Sequence, residues 1–217
     1  MGQRHLLHAV IFSLNSHYLR QSWIGEFFSG SLGDYTHPML EHREIRKQAV
    51  VLVTTDKGLC GALNANLFRL ALQFDPETTL FIAAGRKSAQ FIARSRRQLV
   101  AEFAYSETPR FSEAVAIGAF ASTLFLKREV DAVKVIAARF VNTLTQQPMC
   151  IEFLPIGQIR ALEMAWTNAD FAATTRKTEC LFEPGREDVL DFFLTRYPNI
   201  YMYQVLLNAR ASKHSAR

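Results

Sequence analysis

A glycine-containing turn between an apolar run and a helical pattern is the part of this sequence best suited to chemistry. It reads Thr54-Thr55-Asp56-Lys57-Gly58-Leu59-Cys60-Gly61-Ala62-Leu63-Asn64. Turns in this position can bind phosphate through the first N–H groups of the following helix. This one lacks the Gly-x-Gly-x-x-Gly spacing of dinucleotide sites and the Gly-Lys-Ser/Thr ending of a P-loop, and its aspartate would repel a phosphate. A structural turn or a partner contact is therefore favoured, with nucleotide binding by loop 55–61 as the alternative.

Cys60 lies near the start of that helix, where the helix dipole can activate a thiol. No histidine is close to it in sequence, so a buried or partner-facing thiol is favoured over a nucleophile. The three cysteines are an odd number and far apart, which is typical of free thiols in a reducing compartment. The six histidines show no paired ligand spacing with cysteine, so we expect no metal site. They are His5, His8, His17, His37, His42 and His214.

Two basic clusters could bind nucleic acid, namely residues 94–97 (Arg-Ser-Arg-Arg) and 43–47 (Arg-Glu-Ile-Arg-Lys). Neither has interleaved aromatic residues, so solvated helix ends are favoured and salt-dependent nucleic-acid binding is the weaker alternative. The carboxylate pair Glu187-Asp188 falls where a helix should begin, and the helix dipole explains it without catalysis. The sequence alone does not require an enzyme.

The composition describes a folded globular chain. Of its 217 residues 49% are hydrophobic, and 25 Lys and Arg stand against 20 Asp and Glu. This hydrophobic content excludes disorder, and 10 Gly and 7 Pro exclude collagen-like sequence. No apolar run approaches the ~20 residues of a membrane-spanning helix. The opening segment 1–14 loosely resembles a signal peptide, but His8 interrupts it, so an amphipathic helix is favoured.

Alternating strand and helix patterns must position these residues. Strands are predicted at 49–54, 79–84, 98–103, 133–141 and 148–154, and helices at 4–20, 62–74, 86–97, 111–127 and from 186 past Pro198. The last two strands are joined by too few residues for a crossover helix, so they must be antiparallel. We therefore predict an α/β fold with a Rossmann-like, mixed and mostly parallel sheet of about five strands, helices on both faces, and flanking N- and C-terminal helices.

The chain is expected to divide into an N-terminal helix stub (1–24), a Gly- and Ser-rich loop (25–48), a globular α/β domain (49–185) and a C-terminal helix stub (186–217). A short edge strand is predicted at 179–182. Ser112 or Thr108-Pro109 is expected to cap the helix 111–127. Both chain ends are predicted to be helices without clear stop signals, as if cut.

Residues 53–68 resemble the signature of the γ subunit of F-type ATP synthases, which typically reads Thr-Ser-Asp-Arg-Gly-Leu-Cys-Gly-Gly-Leu-Asn. Residues 130–133, 139–142 and 147–148 are similar to the family's central hairpin. Residues 181–184, 203–204 and 211–217 are similar to its entry into the C-terminal helix. The resemblance is collinear from about residue 44 to 217. Lys57, Ala62 and Lys213 depart from the family's Arg, Gly and Glu, and the family's two long shaft helices are not matched.

The resemblance implies a rotor part that is not catalytic and binds no cofactor. Its globular foot would dock with the ε subunit on the c-ring, on the cytoplasmic face of the bacterial inner membrane or the organelle equivalent. The shaft would act inside the catalytic hexamer of α and β subunits, and no nucleic acid is involved. The residues that the resemblance assigns to partner contact are Thr55, Asp56, Lys57, Gly58, Leu59, Cys60, Gly61, Asn64 and Arg217.

Overall fold

The computed structural model describes residues 37–55, 62–142, 145–156 and 186–216. All of them belong to one structural unit, Thr36–Gly157 with Pro184–Arg217. The predicted helix 4–20, the N-terminal stub 1–24 and the edge strand 179–182 lie outside the described residues.

Five strands form one mixed sheet in the order β3-β2-β1-β4-β5. They are β1 (Gln48–Val53), β2 (Thr79–Ala84), β3 (Gln98–Phe103), β4 (Ala132–Phe140) and β5 (Gln146–Leu154). β1 pairs in parallel with β2 and β4, and β2 pairs in parallel with β3. β4 and β5 are antiparallel, as their short connection predicts. The predicted mixed, mostly parallel sheet is confirmed.

The central strand β1 explains why the sheet is stable. Its residues 49–53 are Ala-Val-Val-Leu-Val, and each is 0% exposed. A continuous β-branched run of this kind is typical of a strand covered on both faces. Successive side chains alternate between the faces, so Val50 and Leu52 contact one helical layer and Val51 faces the other way.

The helices are α1 (Leu63–Ala71), α2 (Arg86–Arg94), α3 (Phe111–Leu126) and α4 (Arg186–Ser215). Leu63, Leu67 and Ile92 of α1 and α2 pack in the same core cluster as Val50 and Leu52 of β1. The chain leaves β3 through α3 and returns to the sheet on the opposite side of β1. A right-handed crossover in that direction places α3 on the opposite face of the sheet.

Two helices end earlier than the sequence predicts, and Arg97 is one reason. α1 stops at Ala71 rather than near residue 74. The Arg97 guanidinium donates hydrogen bonds to the carbonyl oxygens of Phe74 (2.6 Å) and Leu72 (3.0 Å), which hold this segment as a turn. α2 stops at Arg94 rather than at 97, because Arg96 adopts the left-handed φ of 54° that ends a helix.

The predicted cap of α3 is wrong. The N-cap residue is Arg110, not Ser112 or Thr108. The Glu113 carboxylate accepts hydrogen bonds from the backbone N–H groups of Arg110 (2.8 Å) and Ser106 (3.2 Å). A glutamate at the third helical position thus satisfies backbone donors at the helix start, which is half of a capping box.

Helix α4 begins at Arg186 and continues through Pro198, as predicted, with Glu187 and Asp188 in its first turn. A proline inside a helix removes one backbone donor and bends the helix. Within the described part of the chain, none of the helices combines the length and apolar character needed to cross a membrane.

Candidate functional site

The carboxyl ends of the parallel strands carry the candidate site. Thr54 follows β1 directly and is 1% exposed. Its hydroxyl accepts a hydrogen bond from the backbone N–H of Ser88 (2.8 Å), and its carbonyl accepts one from the Tyr105 hydroxyl (2.7 Å). Its own N–H donates to the Ala84 carbonyl (2.9 Å). The chain that enters the predicted loop is therefore held from both β2 and the segment after β3.

The next residue, Thr55, is joined to the far end of the same loop. The Asn64 side-chain amide donates a 3.0 Å hydrogen bond to the Thr55 hydroxyl. Thr55 is 3% exposed, and Asn64 lies in the first turn of α1. The structure thus brings together two of the residues predicted for partner contact. The others lie outside the described residues: Asp56, Lys57, Gly58, Leu59, Cys60, Gly61 and Arg217.

The last turns of α4 cover the carboxyl end of β4. Ser212 is 0% exposed, and its hydroxyl lies 3.5 Å from the Ala138 carbonyl oxygen. Ala216 packs against the core cluster that contains Ile136 and Ala138. In doubly wound sheets, ligands bind in the crevice where the strand order reverses, and here that point lies between β1 and β4. The chain's own helix occupies this end of β4.

Polar contacts extend this covering toward the neighbouring loops. Lys213 Nζ lies 3.4 Å from Glu107 Oε1, in the segment between β3 and α3. Gln146 Nε2, at the start of β5, donates to the Ser215 hydroxyl (3.0 Å). The end of α4 is thus tied to both sides of the sheet's carboxyl edge. This arrangement can hold the end of α4 in place. The carboxyl end of β4 is then in contact with the protein's own helix.

Sequence reasoning missed Ser88, Tyr105 and Ser212. Each contacts a backbone or side-chain group far away in sequence, so no local motif predicts the contact. The contact of Ser88 with Thr54 uses its backbone N–H, which any residue except proline could supply, so the serine itself gives no signal for this contact. Its hydroxyl also donates to the Gly85 carbonyl (2.7 Å).

Part of each basic cluster is engaged within the protein. Arg43 donates to the Phe125 carbonyl (3.0 Å) and to Glu41 (2.6 Å), and its guanidinium lies 4.6 Å from the centre of the Phe125 ring. Arg46 pairs with Glu44 (3.2 Å), and Arg97 is bound to the turn after α1. Arg94 ends α2, as the helix-end prediction requires. Residues 43–47 are not a helix end but lie in the connection that leads into β1, so the prediction is wrong for this cluster.

The ionisable groups described do not form a metal centre: no cluster of three His, Cys, Asp or Glu occurs within residues 37–55, 62–142, 145–156 and 186–216. Cys150 on β5 is a free cysteine, and partial burial raises the pKa of its thiol. Asp131 accepts backbone hydrogen bonds from Lys47 and Arg46, 3.0 Å each. The hydrogen bond from Lys47 is the main reason why the pKa of the Asp131 carboxyl is lowered.

The fold and this site define a doubly wound α/β protein whose carboxyl edge is joined to its own long C-terminal helix. A family model described as ATP synthase matches residues 15–217. The chain is 41% identical to the ATP synthase gamma chain of Opitutus terrae, over 83% of this chain and 63% of the relative. It is 33% identical to that of Methylacidiphilum infernorum, over 85% and 64%. The chain belongs to the ATP synthase gamma chain family.

Solved structures agree at the level of the fold. The central stalk and c-ring structure of Tetrahymena thermophila mitochondrial ATP synthase matches with a TM-score of 0.64 and 21% identity, over 97% of this chain and 90% of that chain. A rotor structure of the Euglena gracilis enzyme matches with a TM-score of 0.61 and 15% identity, over 98% and 76%. The chain spans a little under two thirds of the length of the two curated relatives above.

Proposed function

We propose that this chain is a non-catalytic rotor subunit in the central stalk of a proton-translocating F-type ATP synthase. The chain belongs to the ATP synthase gamma chain family, and the observation that carries the proposal is that α4 contacts the rest of the body both near its start and near its end. Near its start, Asp191 Oδ1 lies 3.5 Å from His37 Nε2. Near its end, Ser212 contacts the β4 carbonyl of Ala138. A helix held in this way moves together with the sheet.

Torque transmission requires such stiffness. Close-packed protein interiors have low compressibility and transmit strain, and the middle of α4 is packed into the interior. Leu194, Met202 and Leu206 are each 0% exposed. The Tyr201 ring packs against Phe153 of β5, with 5.8 Å between ring centres. A force on the body would therefore reach the helix without local unfolding.

The partners proposed follow from the family. The globular body (49–185) would be the foot, contacting the c-ring and the ε subunit. The terminal segments 1–24 and 186–217, with the loop 25–48, would join the foot to the α/β catalytic hexamer. Loop 55–61, Asn64 and Arg217 would contact partner subunits, while cofactors and nucleic acid play no part. The complex would hold the chain peripherally, on the cytoplasmic face of the bacterial membrane or its organelle equivalent.

A rotation experiment tests this proposal. The chain is assembled with α, β and ε subunits, immobilised through the hexamer, and given a probe on Cys150, with Cys60 and Cys180 replaced by serine. Addition of ATP should rotate the probe, and a cross-link between this chain and a β subunit should stop both rotation and ATP hydrolysis. Hydrolysis that continues at an unchanged rate after cross-linking of the assembled complex would contradict the rotor function.

A further inference from the structure

Helices α3 and α4 approach each other unusually closely at one point. A Cβ atom placed on Gly118 of α3 would lie 3.0 Å from Asn199 Oδ1 and 3.3 Å from the carbonyl oxygen of Pro198. Cβ atoms rarely make contacts this short, so a methyl group at position 118 would require the Asn199 side chain and the Pro198 backbone to shift by a few tenths of an ångström. The missing side chain therefore permits a nearly direct contact between two helix backbones.

Gly118 is the middle of three small residues on α3. Ala114, Gly118 and Ser122 follow one another at intervals of four and are all buried. Residues spaced in this way form one ridge of a helix, and small residues turn the ridge into a groove. The groove lies against α4 at the contact of Gly118 with Asn199.

The position of this contact along α4 is significant because it coincides with the internal proline. Pro198 lies inside α4 and has no backbone N–H, so the carbonyl of Leu194 loses its partner within the helix, and helices commonly bend at such a residue. The direction of a helix after such a bend is less constrained by its own hydrogen bonds. A backbone contact from a neighbouring helix at the same residue can then fix it.

We propose that Gly118 is a positioning residue that sets the direction of α4 beyond Pro198. Because glycine has no side chain, the Pro198–Asn199 backbone can approach α3 closely at position 118. This approach sets the angle at which α4 continues to the carboxyl edge of the sheet. The mechanical consequence rests on the proposed rotor function, because there the direction of α4 decides how the foot is joined to the rest of the rotor.

The test measures helix direction rather than stability alone. Nitroxide labels are placed at exposed residues Ala93 of α2 and His214 of α4, in the whole chain with its three natural cysteines replaced by serine. Gly118→Ala should change the distance between the labels. A change of about 10° at Pro198 moves the end of α4 by about 4 Å, since each helical residue adds about 1.5 Å. Alanine favours helix more than glycine does, so α3 itself should stay intact.

A matched control and a double variant show which contact is responsible for a change in the distance between the labels. Ala119→Leu adds bulk to the exposed face of the same helix and should leave the distance unchanged. Asn199→Ala removes a side-chain atom but leaves the backbone atoms of Pro198 and Asn199 beside position 118, so in combination with Gly118→Ala it should leave most of the change in distance in place. An unchanged distance in folded Gly118→Ala, or full restoration in the double variant, would overturn the proposal.

Pro198→Ala tests the same contact from the other helix and covers the case in which Gly118→Ala does not fold. It returns the missing donor to α4 and should straighten it, again moving His214 relative to Ala93. If the distance between the labels in Pro198→Ala also equals that in the chain without the substitution, Gly118 and Pro198 do not set the helix direction. The rotation experiment uses neither variant, so failure here leaves the rotor function standing on its own test.

Discussion

The Asn64 side-chain amide donates a 3.0 Å hydrogen bond to the hydroxyl of Thr55, nine residues earlier in the chain. Thr55 lies just after the buried central strand, and Asn64 lies in the first turn of the following helix. The two ends of the loop between them are therefore held at a fixed separation. Any partner that contacts this loop meets a segment whose two stems are already joined.

Asn64→Ala should loosen this loop at modest cost to the fold. A hydrogen bond between a half-buried amide and a buried hydroxyl contributes about 1 kcal/mol, so the free energy of unfolding should fall by about that amount. Amide hydrogen exchange should accelerate in residues 55–64. Asn66→Ala is the matched control, since the Asn66 side chain accepts a long hydrogen bond (3.4 Å) from the exposed Arg69 guanidinium. Equal exchange rates in the two variants would show that the Thr55–Asn64 bond does not restrain the loop.

Much of the sheet could be predicted because its signals are local. The run Ala49–Val53 has no polar residue, which requires burial on both faces, and the connection 141–145 is too short for anything but an antiparallel pair. The ends of α1 and α2 could not be predicted to the residue. The end of α1 depends on Arg97 reaching carbonyl groups 23 and 25 residues earlier in the chain, a contact that only the folded sheet creates.

The candidate site was only partly predictable for the same reason. Thr55 and Asn64 belong to a recognisable string of residues, and the structure joins them. Tyr105 and Ser212 act on the backbone at the ends of β1 and β4, respectively. Their roles follow from which segments pass over the carboxyl edge, and neither spacing nor composition contains that information.

Arg97→Ala should destabilise the protein more than loss of a surface arginine usually does. Its guanidinium donates to two backbone carbonyls and lies 5.4 Å from the centre of the Phe81 ring. Charge-assisted hydrogen bonds and the ring contact together suggest a loss of about 2 kcal/mol, or a fall in Tm of about 4–8 °C. Calorimetric unfolding measures both.

The controls for Arg97 separate charge from geometry. Arg97→Lys should recover little stability, because an ammonium group cannot reproduce the two-pronged geometry of a guanidinium. Arg94→Ala, at an exposed position three residues earlier in the chain, should change stability by less than about 0.5 kcal/mol. A loss at Arg94 as large as at Arg97 would mean that net charge, and not the contact with the α1–β2 turn, is responsible.

Asp131 should make stability depend on pH in the acid range. The backbone N–H of Lys47, and then that of Arg46, donates to its carboxylate and lowers its pKa in the folded state. A group whose folded pKa is lowered contributes stability above its unfolded pKa, and that contribution is lost as the pH falls through the folded pKa. The stabilisation should therefore be present above about pH 4 and decline below it.

Asp131→Asn isolates this contribution. The amide retains an oxygen acceptor but cannot titrate, so the difference in unfolding free energy between the variant and the unchanged protein should be largest at neutral pH and shrink below about pH 4. Urea unfolding at several pH values measures it. Glu129→Gln, at an exposed position nearby, serves as the control. If the difference between the unchanged protein and the Asp131→Asn variant stays constant with pH, the carboxylate charge does not have this role.

Nucleotides should not stabilise this chain. In doubly wound sheets a nucleotide binds where the strand order reverses, and here Ser212 and Ala216 of α4 pack against the end of β4 at that point. A ligand at 100 times its Kd would add about 2.7 kcal/mol, enough to raise Tm by about 5–10 °C. Thermal unfolding with ATP and magnesium, and separately with NAD, should show no such rise.

Inorganic phosphate at matched ionic strength controls for a general salt effect. A saturable shift with either nucleotide, absent with phosphate, would contradict this prediction and favour the alternative in which the chain binds a nucleotide.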